Sequence, residues 1–235
     1  MLRLSRNDIE DIGVSILRDY AARIVNDEHI PVDIDAFARK YLGLQIQYRS
    51  LSDNGSILGI TIYKDVQVDM TLRNHNIVIS ATEDTILLDE QLYKPENKRR
   101  ERFTIAHECA HHILARIEER QTGVSFRKAF NPGEVYSFHE LDSAEAWCEW
   151  QANTLGAALL MPRLELLKML RRGFPPYHLT MYGNRFNRWD YLKVKSLSNN
   201  FNVSMSAMTL RLKDLGFINR KPESEYRNPI DIFVS

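Results

Sequence analysis

The most informative part of the chain reads Arg102-Phe103-Thr104-Ile105-Ala106-His107-Glu108-Cys109-Ala110-His111-His112. It contains the pattern His-Glu-x-x-His. On a helix that turns by about 100° per residue, His107 and His111 lie about 40° apart on one face, so both imidazoles can reach one metal ion. Glu108 lies beside them, where a carboxylate can take a proton from a metal-bound water. The pattern therefore predicts a helix that carries two metal ligands and a general base.

A third ligand is expected on a neighbouring element, because catalytic zinc usually takes three protein ligands and a water. The helix predicted over residues 142–160 offers Glu149. Asn153 lies one turn later on the same face, where its side chain can support a ligating histidine. Glu145, one turn earlier, is the second candidate. The alternative is an exposed helix face that carries these residue types without any metal.

The motif helix is also predicted to pack in the core, because one side of it is apolar. Cys109 lies on that side and is expected to be buried rather than to bind metal. Cys148 points about 100° away from Glu149 on its own helix and is also expected to be buried. His112 is expected to support the site or to lie at the surface. The apolar side consists of Phe103, Ala106, Cys109, Ala110, Ile113 and Leu114.

Composition excludes several classes of function. The chain has 235 residues, and its 31 basic and 31 acidic side chains cancel, so no global field favours nucleic acid or an anionic membrane. The apolar run at 155–161 is far shorter than the roughly 20 residues of a membrane-spanning helix. Two cysteines are too few for a disulfide framework, and the first residues lack the pattern of a secretory signal. We therefore expect a cytoplasmic protein with no membrane segment.

Hydrophobic periodicity predicts an α+β fold. An amphipathic helix is expected up to about residue 25, and a short one after Asp33. Alternating and β-branched residues over 44–88 predict three to five strands of a small antiparallel sheet. The rest of the chain is predicted to be mostly helical, with helices at about 99–119, 142–160, 163–172, 189–200 and 204–215.

Three other segments accompany the histidine motif in a recognisable order. They are Glu149-x-x-Ala152-Asn153 running into Leu159-Leu160-Met161-Pro162, Ile30-Pro31-Val32-Asp33-Ile34 near the start, and Phe201-Asn202-Val203-Ser204 with Arg211-Leu212-x-x-Leu215-Gly216 near the end. With these segments the chain resembles the ImmA/IrrE family of metallopeptidases. The resemblance implies His107, His111 and Glu149 as zinc ligands and Glu108 as the catalytic base. It also implies cleavage of a helix-turn-helix repressor of a mobile element or of a stress response.

The sequence departs from the family pattern at two places near the motif. Cys109-Ala110 stands where Leu-Gly is frequent, and Leu155-Gly156 stands where Phe-Ala is common. Neither change removes a ligand.

The predicted organisation follows from these motifs. Residues 1–175 are expected to form a metallopeptidase domain, with N-terminal helices, the small sheet and a mainly helical zincin-like core. Residues 176–235 are expected to form a helix-turn-helix-like segment and a tail, whose apolar end at 230–234 can dock as an edge strand. The long loop at 121–140, between the two ligand-bearing helices, is expected to cover or shape the cleft.

The C-terminal helix pair suggests a second hypothesis for the function of the protein. Residues 189–216 have the outline of a helix-turn-helix, but basic residues on the second helix are few, and DNA binding is not expected. We expect a pair that packs on the catalytic domain or presents a groove to a protein partner. The rival hypothesis is a non-catalytic regulator with a structural or vestigial metal site whose C-terminal helices bind DNA or a repressor.

Candidates for stabilising an oxyanion are His139, Tyr177, His178 and Tyr182.

Overall fold

The computed structural model describes residues 2–25, 30–52, 55–72, 75–122, 143–172 and 177–227. The chain packs as two units, Met1–Leu160 and Met161–Ser235. The predicted loop at 121–140, with His139, and the predicted edge strand at 230–234 lie almost entirely outside the described residues. The predicted domains, 1–175 and 176–235, stay a prediction, because packing units need not coincide with domains.

Two helical segments open the first unit. Helix α1 spans Arg6–Tyr20 and begins with a capping box, in which Ser5 and Asp8 each bond the other's backbone. A π-helical turn, Ala21–Val25, extends it. Helix α2 is the single turn Ile34–Ala36, capped by Asp33 as predicted, and it continues into a π-helical turn at Phe37–Tyr41.

A three-stranded sheet follows, in the order β1-β5-β2. Its strands are β1 (Gln45–Arg49), β2 (Gly59–Ile62) and β5 (Thr85–Asp89). Strand β5 is central and buried along its whole length. It pairs antiparallel with β2 and parallel with β1, with Gln45 opposite Thr85. The predicted sheet was wholly antiparallel, and this was wrong, because alternating residues indicate strands but carry no information on their direction.

The remaining strands of this unit form a separate antiparallel ribbon. Strand β3 spans Val66–Leu72 and strand β4 spans His75–Ala81, and they pair along their whole length. The ribbon lies between β2 and β5 in the chain. After the ribbon the chain returns to the first sheet, where β5 pairs with β1 on one side and β2 on the other.

The motif helix, α3, spans Lys98–Thr122 and packs against the sheet and against helix α4, Ala144–Leu160. Helix α1 packs on α4. The helices α3 and α4 approach closely at Gly156, where an added β-carbon would lie 3.2 Å from the backbone carbonyl of Ala106. The core of this unit therefore lies around α3. Of its predicted apolar side, Phe103 and Leu114 are half-buried, and the buried residues are Ala106, Cys109, Ala110 and Ile113.

The second unit contains a helix, a small sheet and the predicted helix pair. Helix α5 spans Arg163–Arg171, and the sheet has the order β7-β6-β8. The sequence did not predict this sheet, because its strands have four residues or fewer. The other elements are β6 (Leu179–Tyr182), β7 (Arg185–Phe186), α6 (Arg188–Asn200), α7 (Met205–Asp214) and β8 (Ile218–Lys221).

The α+β class is thus confirmed. Among the described residues, every helix is too short or too polar to cross a lipid bilayer.

Candidate metal centre

Two helices bring the three predicted ligands together. His107 and His111 lie one turn apart on α3, and their Nε2 atoms are 2.9 Å apart. Glu149 lies on α4, with Oε2 at 3.4 Å from Nε2 of His107 and Oε1 at 3.3 Å from Nε2 of His111. All three side chains are buried. In the described part of the chain, no other group of three His, Cys, Asp or Glu residues meets so closely.

The donor set fits a tetrahedral metal ion. Zinc bonds of about 2.0–2.1 Å at tetrahedral angles place neighbouring ligand atoms about 3.3 Å apart. The observed separations of 2.9, 3.3 and 3.4 Å lie around this value. Oε1 of Glu149 is buried and accepts no hydrogen bond from the described residues, so a bound metal ion would satisfy it. Two imidazoles and a carboxylate are ligands that zinc accepts.

Asn153, predicted to support a ligating histidine, lies beside His107. Its Oδ1 lies 3.0 Å from Nδ1 of His107. A carboxamide oxygen only accepts hydrogen bonds, so Nδ1 carries the proton and donates it. This tautomer leaves the lone pair of Nε2 directed at the cluster, which is the form a metal requires.

The second candidate for the third ligand lies elsewhere. Glu145 is exposed on the first turn of α4 and does not belong to the cluster, whereas Glu149 is only 5% exposed. The geometry therefore favours Glu149, and the assignment of ligand roles stays a prediction.

Charges in the cluster shift the pKa values of its members. Burial raises the pKa of Glu149, but the two imidazoles outweigh it and lower the pKa to about 2. Burial lowers the pKa of His107, and His111 beside it lowers it further. Burial also disfavours protonation of His111, but Glu149 and Glu108 outweigh it and raise its pKa above 6.5. The carboxylate is thus charged at neutral pH, and the two histidines differ in proton affinity.

Glu108 faces strand β2 rather than solvent. It is 1% exposed. The hydroxyl of Thr61 lies 2.7 Å from its Oε2, and no described residue donates a hydrogen bond to Oε1. Gly59 lies against the same carboxylate. The sequence predicts neither Gly59 nor Thr61 at the site, because nothing local in the chain indicates which strand residues face the helix.

Neither cysteine belongs to the cluster, and of the two only Cys109 is fully buried as predicted. Cys109 is fully buried, and burial raises its pKa well above 9.0. Cys148 is partly buried, and burial raises its pKa to about 12. A thiol must lose its proton to bind metal, so both remain protonated near neutral pH.

The remaining candidates are spread over the chain. His112 is buried, with Nδ1 at 3.7 Å from Asp84, and it is not part of the cluster. His178 and Tyr182 belong to the second unit, where they contact the rings of Phe217 and Tyr226. Tyr177 is exposed in that unit. Their predicted role at an oxyanion stays a prediction.

A buried His-His-Glu cluster on two helices beside a carboxylate is the arrangement of a metallopeptidase site. Residues 58–213 match the model of the peptidase M78 family, described as the IrrE N-terminal-like domain. The match covers more than half of the chain, so the protein belongs to this family of metallopeptidases, and the resemblance noted in the sequence is confirmed. No curated protein in the comparison matches the chain.

Proposed function

We propose that the protein is a zinc-dependent endopeptidase of the His-Glu-x-x-His plus Glu type. His107, His111 and Glu149 would hold the metal, and the His107 tautomer set by Asn153 supports this assignment. When bound, zinc supplies a Lewis acid that polarises the scissile carbonyl and acidifies a bound water. The observation that carries the proposal is the convergence of these three buried ligand atoms next to Glu108.

Glu108 is the general base of the proposed reaction. It takes the proton from the attacking water and delivers it to the leaving amine. Its carboxylate is buried next to the ligands, and its Oε1 has no hydrogen-bond donor among the described residues.

The proposed substrate is a protein, a helix-turn-helix repressor of a mobile element or of a stress response. The family assignment supports this proposal, because the matching family model describes an IrrE-like domain. The balanced charge of the chain, with 31 basic and 31 acidic side chains, argues against nucleic acid as the main partner. We also propose that the protein works in the cytoplasm, where such a repressor is found.

One experiment tests the enzyme and its substrate together. The zinc-loaded protein is incubated separately with purified helix-turn-helix repressors, beginning with any that is encoded beside it, and with unfolded casein, and the products are mapped by mass spectrometry. We expect cleavage of the repressor at one or a few sites and little cleavage of casein. Rapid cleavage of casein at many sites contradicts a dedicated regulatory protease. Salt-sensitive binding to duplex DNA without any cleavage supports the rival regulator instead.

A further inference from the structure

Strand β2 contacts the carboxylate of Glu108 through Thr61. The Thr61 Oγ1 lies 2.7 Å from Oε2 of Glu108 and 3.1 Å from the Glu108 backbone oxygen. Both side chains are buried. These contacts join residues 47 positions apart in the chain, so they depend on the packing of the sheet against α3.

The direction of the hydrogen bond follows from its chemistry. A threonine hydroxyl has one hydrogen, and both oxygens of Glu108 within reach can only accept it. The carboxylate oxygen is nearer and charged, and hydrogen bonds to charged acceptors are about twice as strong as neutral ones. Thr61 therefore donates to Oε2 and restrains the rotation of the carboxylate.

Gly59 provides the space that this arrangement needs. A β-carbon at position 59 would lie 2.5 Å from Oε1 of Glu108, 2.9 Å from its Cγ and 2.8 Å from Cγ2 of Thr104. Separations this short force the carboxylate to move. The requirement for glycine is therefore steric.

The two oxygens of Glu108 consequently differ. Oε2 accepts the hydrogen bond from Thr61, whereas Oε1 is buried and accepts none from the described residues.

We propose that Thr61 and Gly59 of β2 are positioning residues for Glu108. Thr61 holds Oε2 by its hydrogen bond, and Gly59 leaves room for the carboxylate. The proposal rests on the proposed function, in which Glu108 is the base.

The first part of the test uses zinc alone. The variants are Thr61→Val, which keeps the shape and removes the hydroxyl, Thr61→Ser, which keeps the hydroxyl, and Gly59→Ala. The matched control is Thr85→Val, a buried threonine on the neighbouring strand β5. Zinc affinity is measured by competition with a chelator. We expect all four to bind zinc within about threefold of the unchanged protein, because none alters a ligand.

The second part measures kcat and KM on a helix-turn-helix repressor that the unchanged protein cleaves. General bases contribute about 10²–10⁴-fold to rates, so a misplaced base should lower kcat about tenfold or more in Thr61→Val and Gly59→Ala. We expect KM to change by less than about threefold, and Thr61→Ser and Thr85→Val to keep most of kcat. A Thr61→Val protein as fast as the unchanged one overturns the proposal, as does a Thr61→Ser protein as slow as Thr61→Val.

A third measurement separates this proposal from the proposed function. Chemical unfolding of the zinc-free protein is compared for Thr61→Val, Glu108→Ala and the double variant. We expect the two changes to couple by about tenfold or more in the unfolding equilibrium constant, as for a hydrogen bond to a charged group. If the unchanged protein cleaves nothing but the coupling is present, the endopeptidase is refuted and the Thr61–Glu108 contact stands. Additive effects refute the contact whatever the activity.

Discussion

Gly156 on α4 lies so close to His107 on α3 that a β-carbon at position 156 would be 3.1 Å from the His107 backbone nitrogen. The two ligand-bearing helices therefore touch through their backbones next to the cluster. The spacing between Glu149 and the histidines depends on this contact, because Glu149 and Gly156 share one helix.

Larger side chains at position 156 should therefore separate the ligands. Alanine needs a shift of only a few tenths of an ångström, and its higher helix propensity, about 1 kcal/mol, offsets the cost. We expect Gly156→Ala to keep zinc and Gly156→Val to weaken its binding by about tenfold or more. Chelator competition compares the two variants. Equal zinc affinity in both would show that the helices tolerate the added volume.

Glu149→Ala should weaken zinc binding far more than Glu145→Ala. Glu149 is buried with its oxygens 3.3 and 3.4 Å from the imidazole nitrogens, whereas Glu145 is exposed and outside the cluster. We expect a loss of about 100-fold or more for the first variant and less than about threefold for the second. Zinc stoichiometry and affinity are measured on both. Comparable losses would leave the third ligand unassigned.

Asn153→Ala should weaken zinc binding about 10–100-fold, the usual effect of removing a group that orients a ligating histidine. The control is Asn153→Asp, which keeps an oxygen that can accept from Nδ1 of His107. We expect this control to bind zinc at least as tightly as the unchanged protein. If both variants lose zinc affinity equally, the hydrogen bond between His107 and Asn153 does not determine zinc affinity.

Glu108→Gln should keep zinc and lose cleavage, because an amide fills the same volume but cannot carry the proton. His107→Ala should lose zinc instead. Metal analysis and product mapping on the repressor are carried out on both proteins. Cleavage that survives in the Glu108→Gln protein contradicts the mechanism.

Zinc affinity should decrease as the pH falls, with the release of one proton for each zinc ion bound. The raised pKa of His111 lies above 6.5, whereas His107 has a lowered pKa and Glu149 has a pKa of about 2. Between about pH 5 and 7 a proton therefore competes with zinc mainly at His111, and the dissociation constant should rise about tenfold for each unit that the pH falls. Chelator competition across this range gives the slope. A slope of two would mean that both imidazoles titrate together.

The local part of the site was predictable from the sequence. The spacing of His107 and His111 places them on one helix face, and helical spacing equally relates Glu149 to Asn153. Assigning the third ligand to Glu149 on α4 required the family resemblance, because periodicity alone left Glu145 as an alternative.

The contacts made by the sheet were not predictable in the same way. The Thr61–Glu108 hydrogen bond and the parallel pairing of β1 with β5 join segments distant in the chain. Both depend on strand register and on the direction in which the chain returns to the sheet. Residue alternation indicates which side chains share a face but does not indicate what that face contacts.

The placement of the ligands on α3 and α4 has a consequence for the amount of protein in a cell. A metal bound there ties together segments about 40 residues apart, which restricts the unfolded chain and adds binding free energy to folding. If the proposed site holds zinc, a cell short of zinc would contain a protein that is inactive, unfolds more often and is degraded faster. Under zinc starvation, its abundance should fall along with its activity.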